Sequence, residues 1–122
     1  MFDTVNPGEP MQRIRSGIES LAGEDRSGWR SAALTDRLAE TVALRDRLDA
    51  EVLRMTGEWD RRRAWEADGA LSAAAWMAHR LPMSRSRARH DVRTARFMDG
   101  HGRVAKSVAA GDMTVDHARA LS

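Results

Sequence analysis

Cysteine and tyrosine are absent from this 122-residue chain, and lysine and asparagine occur once each, as Lys106 and Asn6. Without cysteine there is no disulfide, no cysteine-ligated zinc, no iron–sulfur cluster and no thiol nucleophile. No apolar run approaches the roughly 18 residues that would propose a membrane span, so no membrane partner is expected. The first ten residues are polar and carry two acids, which is not the pattern of a signal peptide. A cytoplasmic location is the expectation. Convincing alternation of apolar and polar residues is also missing, which removes β-strands and leaves an all-α fold class. No H-E-x-x-H, P-loop, G-x-S-x-G or G-x-G-x-x-G occurs. The four histidines, His79, His90, His101 and His117, lack the i,i+4 or H-x-H spacing of a metal site. The residues therefore propose no catalytic group, no metal and no cofactor.

What is present is arginine. It supplies nineteen of the twenty basic residues. GC-rich codons account for such a bias, and so does selection for bidentate phosphate or base contacts, which arginine makes better than lysine. The net charge of +2 hides an asymmetry: residues 1–60 carry −4, whereas residues 79–106, with seven arginines, one lysine and two acids, carry +6. Apolar residues make up 42% and charged residues 31%, a composition that folds rather than stays disordered.

The apolar spacing predicts a chain of helices. Residues 1–28 read as a tail with turn chemistry at Asn6-Pro7-Gly8 and Pro10, then a short helix with Ile14, Ile18 and Leu21 on one face and Gly23 as its C-terminal cap. Residues 29–122 read as a partial helical domain. A long helix over 31–63 places Leu34, Leu38, Leu48, Val52, Met55 and Trp59 in one apolar stripe, the expected buried face. Arg45 falls inside that stripe, either snorkelling or paired with a partner helix. The pairs Arg45–Asp49, Arg47–Glu51 and Arg54–Glu58 are spaced for i,i+4 contacts, and Gly57 is a weak point. A helix of this length spans about 45 Å and needs neighbours or a second copy of the chain. Further helices are expected over 72–80, 84–98 (extending to 110 unless Gly100 and Gly102 interrupt it) and 114–122, capped by Ser72, Ser84 and Thr114. Pro82 stops the first of them. The tryptophans Trp29, Trp59, Trp65 and Trp76 are expected in helix packing.

Residues 72–98 have the outline of a helix-turn-helix whose second helix is rich in arginine. Ala88, Val92 and Ala95 form its packing face, and Arg85, Arg89, Arg93 and Arg96 lie together beside that face. This division is the one a recognition helix needs, with one side on its scaffold and another offering cations to phosphate and base edges. A solvated charged face has the same pattern, as does a surface for an acidic protein. Arg61, Arg62 and Arg63 form a second basic cluster, suited to a helix C-terminus or to an assisting phosphate clamp.

From Trp65 the sequence runs W-E-A-D-G-A-L-S-A-A-A-W, and at Gly111 it runs G-D-M-T-V-D-H-A-R-A. The order of a long Leu/Arg/Glu helix, W-x-x-D-G, S-A-A-A-W, an Arg-rich helix and this last motif resembles the actinobacterial family DUF222 of the "13E12 repeat" proteins. The resemblance covers about Thr35 to Ser122. It implies a helical domain upstream of an HNH nuclease module, positioning or engaging DNA for it. The chain stops in the family's N-terminal half, and no HNH catalytic residue is present to carry over. A truncated relative, a fragment and a decayed copy all fit this expectation. The expected function is thus non-catalytic, weak engagement of duplex DNA through Arg85, Arg89, Arg93 and Arg96, assisted by Arg61, Arg62 and Arg63. The alternative is a structural module or remnant that dimerises through the long helix, or packs on the missing C-terminal half, without binding nucleic acid.

Overall fold

The computed structural model describes residues 6–122. Among them there are six α-helices, a short 3-10 turn and no strand, so the fold is all-α. The helices are α1 (Glu9–Ala22), α2 (Ser31–Arg61), α3 (Ala73–Arg80), α4 (Arg85–Asp99), α5 (Gly102–Ala110) and α6 (Val115–Leu121); the 3-10 turn spans Ala64–Asp68. Among the described residues no helix is long and apolar enough to cross a membrane. The chain divides into two compact units, residues 1–37 and residues 38–122.

In the first unit, Pro10 sits in the opening turn of α1 rather than in a tail, because a missing N–H costs nothing at that position. Gly23 caps the helix. Glu24 then accepts from Arg26 (3.2 Å) and Arg37 (2.7 Å), and the Arg37 guanidinium lies 5.0 Å from the centre of the Trp29 ring. Residues 1–5 of the expected tail lie outside the described residues.

The second unit has two apolar clusters. Trp65, Ala73, Met77, Ala88 and Val92 join the 3-10 turn, α3 and α4. Ala50, Leu53, Ala95, Met98, Val108, Val115 and Ala118 join α2 to α4, α5 and α6. Alternate small residues let the helices approach closely: a Cβ on Gly57 of α2 would stand 3.6 Å from the Ala95 carbonyl oxygen of α4. The helix ends follow local chemistry. Ser72 Oγ accepts from the Ala75 amide (3.1 Å), Ser84 Oγ from Arg87 (3.0 Å) and Thr114 Oγ1 from His117 (3.1 Å), each satisfying an amide that the helix leaves unpaired. Gly100 ends α4, and α5 starts as a separate helix two residues later.

The facing of α2 differs from the expected one. Its buried residues are Ala50, Leu53 and Thr56, with Asp46, Asp49 and Asp60 on the same side. The apolar stripe is turned to solvent: Leu38 is 64% exposed and Met55 60%, and Leu34, Leu48 and Val52 are exposed as well. Trp59 alone of that stripe is drawn in, half-buried and edge-on to Trp76 at 5.0 Å. Arg45 is exposed with no carboxylate in reach among the described residues, so it is not a buried ion pair. The three expected i,i+4 pairs do not form. Asp49 is taken by Arg87 and Arg119, Glu51 pairs with Arg54, and Glu58 pairs with Arg61 and Arg62. An exposed i,i+4 pair contributes only a few tenths of a kcal/mol, so tertiary partners easily displace it.

Candidate nucleic-acid interface

The α3–turn–α4 unit is built as the spacing predicts. Ala73 and Met77 of α3 pack on Ala88 and Val92 of α4. Leu81 leaves the helical region, with ψ 154°, as the residue before proline must, and Ser84 restarts the chain as α4. Burying Ala88, Asp91, Val92, Thr94, Ala95 and Met98 leaves Arg85, Arg89 and Arg93 on the flank beside that face, all exposed.

The seven residues proposed for this surface fall into two groups. Arg85, Arg89 and Arg93 have no carboxylate within ion-pair distance among the described residues. The other four are each engaged. Arg96 reaches back to α2, where its Nε and second guanidinium nitrogen donate to Asp60 at 2.8 and 3.2 Å. Arg61 donates to Glu58 and, at 2.5 Å, to Asp99. Arg62 donates to Glu58 at 2.6 Å. Arg63 pairs with Glu66 and lies 4.9 Å from the centre of the Trp65 ring. Arg63 also adopts a left-handed conformation, φ 50°, at the turn that ends α2. Arg96 and Arg61 fasten α2 to α4, Arg62 and Arg63 pair locally with Glu58 and Glu66, and the charge of all four is locally balanced.

Asp60 is the node of that fastening. It accepts from Arg96 and, at 3.2 Å, from Trp65 Nε1. The Arg96 hydrogen bonds hold its carboxyl below the usual carboxylate range, against the opposing effect of burial.

A second node lies where α4, α6 and α2 meet. Asp91 is 1% exposed; its Oδ1 accepts from Arg87 Nε (2.9 Å) and from Arg119 (3.0 Å). Arg119 also donates to Asp49 (3.2 Å) and Asp116 (3.1 Å). Burial works against the Arg119 charge, and the bond to Asp91 with the attraction of Asp49 outweighs it, so the pKa of that guanidinium is raised. Asp46 of α2 accepts from the Val115 amide (3.1 Å) and so caps α6 from a distance.

The family model described as "Domain of unknown function (DUF222)" matches residues 35–122. The chain belongs to the DUF222 family. No curated protein and no solved structure gives a match. The sequence motifs of this DUF222 chain have a structural reading. In W-x-x-D-G, Trp65 is buried, Asp68 accepts from Trp76 Nε1 at 2.8 Å, and Gly69 takes φ 79°. The aspartate thus ties the motif to the tryptophan of S-A-A-A-W. In the last motif, Gly111 turns the chain with φ 83°, Thr114 caps α6, Ala118 is fully buried and Arg119 enters the Asp91 node. His117 of that motif is exposed.

Two site features were not singled out by sequence. His79 lies in the last turn of α3 and lines a concavity together with Arg85 and Arg89; a lone exposed histidine carries no signal of its own. Arg87 sits among the other α4 arginines in sequence yet points to Asp49 and Asp91; only its i,i+4 spacing to Asp91 hinted at that.

Proposed function

We propose that this DUF222 domain is a non-catalytic helical module that engages duplex DNA weakly, with α4 as the contacting helix. The supporting observation is the division of the α4 arginines. Arg87 and Arg96 are spent on aspartates of the fold, whereas Arg85, Arg89 and Arg93 line up on the exposed side of the second helix of a capped helix-turn-helix, with no acid beside them. Guanidinium groups so placed suit phosphate oxygens and the guanine edge. Arg61 and Arg96 then act by holding α4 in place, Arg62 and Arg63 are paired locally with Glu58 and Glu66, and the positive charge of these four reaches the DNA only as a balanced field. In longer relatives with an HNH module, such a surface would position DNA for cleavage elsewhere, within the cell. Contacts to two or three phosphates predict non-specific affinity that falls with salt, with a slope between about −1.8 and −2.7 in log K against log salt. Fluorescence anisotropy with labelled duplex DNA across a salt series tests this; absence of binding at low salt overturns it.

A second reading rests on a different observation, the exposed apolar stripe of α2. Leu38, Leu48, Val52 and Met55 form the kind of face that a second copy of the chain or another helix would cover. Light scattering reads this directly: a dimer that becomes monomeric on Leu48→Asp supports it, and a monomer at every concentration removes it.

A further inference from the structure

The cleft between α3 and α4 joins two of those arginines to an alanine floor and a histidine that the reading above does not use. It encloses about 410 Å³, within the range of small-ligand clefts. Its floor is Ala74, Ala75 and Ala78 of α3, short side chains that let a group approach the helix backbone. Its rim is Arg85 and Arg89 of α4 with His79 of α3. No carboxylate lines it. Two guanidiniums and an imidazole over an alanine floor make a seat for a compact anion with several acceptor oxygens, since the guanidinium fork matches such groups two bonds at a time. Arg93 continues the row outside the cleft, one further turn along α4 and about 6 Å on. A polymer of anions following α4 would therefore meet Arg85 and Arg89 in the cleft and Arg93 beyond it.

We propose that the α3–α4 cleft seats one backbone phosphate of a nucleic-acid strand, held by Arg85, Arg89 and His79, with Arg93 taking a neighbouring phosphate. This rests on the DNA reading and assigns its anchor point. The same chemistry would hold free phosphate, so the test separates the two sources.

The full chain, labelled with nitrogen-15, is titrated in separate experiments with sodium chloride, inorganic phosphate, a dinucleoside monophosphate and a short DNA duplex. The expected result is a saturable shift of the Ala75, Ala78 and His79 amides with phosphate, the diester and the duplex, and none with chloride at matched ionic strength. Arg89→Gln should abolish those shifts at an unchanged urea midpoint, because Arg89 is exposed and holds no partner. Arg93→Gln should leave the phosphate and diester shifts intact while lowering the salt slope for duplex by about 1. Shifts that follow ionic strength whatever the anion overturn the cleft, as do shifts that survive Arg89→Gln. Saturation by inorganic phosphate alone overturns the nucleic-acid source. Duplex that binds and responds to Arg93→Gln, yet leaves the cleft amides unmoved, overturns the cleft while the DNA reading stands.

Discussion

Replacing Asp91 with alanine should destabilise the domain far more than a polar residue on an Arg-rich helix ordinarily would. Asp91 is 1% exposed, and two guanidiniums converge on one of its oxygens, Arg87 at 2.9 Å and Arg119 at 3.0 Å. Removing one member of a buried pair costs about 3–5 kcal/mol when the remaining charge has no alternative. Here the remaining charges have alternatives. The Arg119 side chain is 22% exposed and keeps Asp49 and Asp116, and that of Arg87, which is 48% exposed, can turn to water. Two charge-assisted hydrogen bonds discounted for that relief leave about 2–3 kcal/mol. Arg119→Met works from the other side: it leaves Asp91 to Arg87 alone and should cost about 3 kcal/mol. Because the two residues share one interaction, the double variant should fall short of the sum by about 1 kcal/mol or more. Urea unfolding of the full chain, followed by tryptophan fluorescence and by far-ultraviolet circular dichroism, measures all three. Single variants that each cost under about 0.5 kcal/mol, or that add without coupling, would refute the assignment of Arg119 and Asp91 to the framework.

Other consequences follow from individual positions. Gly57→Ala should stabilise by up to about 1 kcal/mol, since alanine favours helix and the new Cβ would meet Ala95 at ordinary contact distances, 3.6 and 3.9 Å; a lower urea midpoint would contradict this. Gly69→Ala should destabilise by about 1–2 kcal/mol, because φ 79° suits glycine and strains alanine; an unchanged midpoint would show that the turn relaxes. The depressed Asp60 carboxyl makes the folded chain bind fewer protons than the unfolded one. Its stabilising effect is therefore complete above the unfolded carboxylate pKa of about 3.9 and is lost as pH falls through the lower folded value. Unfolding free energy measured between neutrality and acid should decline less steeply in that window for Arg96→Gln, and equal slopes would contradict the Asp60–Arg96 link.

The readable parts of this sequence were those decided locally. Ser72, Ser84 and Thr114 cap because a hydroxyl three residues before an amide needs nothing else, and Pro82 closes α3 for the same kind of reason. The packing face of α4 was readable because Ala88, Val92 and Ala95 repeat at helical spacing. What was not readable is the facing of α2. Its most apolar stripe looks outward, and its buried side carries Asp46, Asp49 and Asp60. That inversion works only because other elements bring partners to those carboxylates: Arg87 and Arg96 from α4, Arg119 and the Val115 amide from α6. None of these pairings is closer than 36 residues in sequence. The same fact divides the α4 arginines. Arg96 shares a helical face with Arg89 and Arg93, and only the position of Asp60 on α2 shows that it belongs to the framework.

The most direct test of the account compares the wild-type chain with the triple variant Arg85→Gln/Arg89→Gln/Arg93→Gln in binding to labelled duplex DNA, from about 50 mM salt upward, each checked for an unchanged urea midpoint. The account predicts wild-type binding with a log–log salt slope between about −1.8 and −2.7 and a triple variant in which affinity and slope are both nearly gone. Wild-type protein that does not bind at the lowest salt, or a triple variant with the wild-type slope, would contradict it.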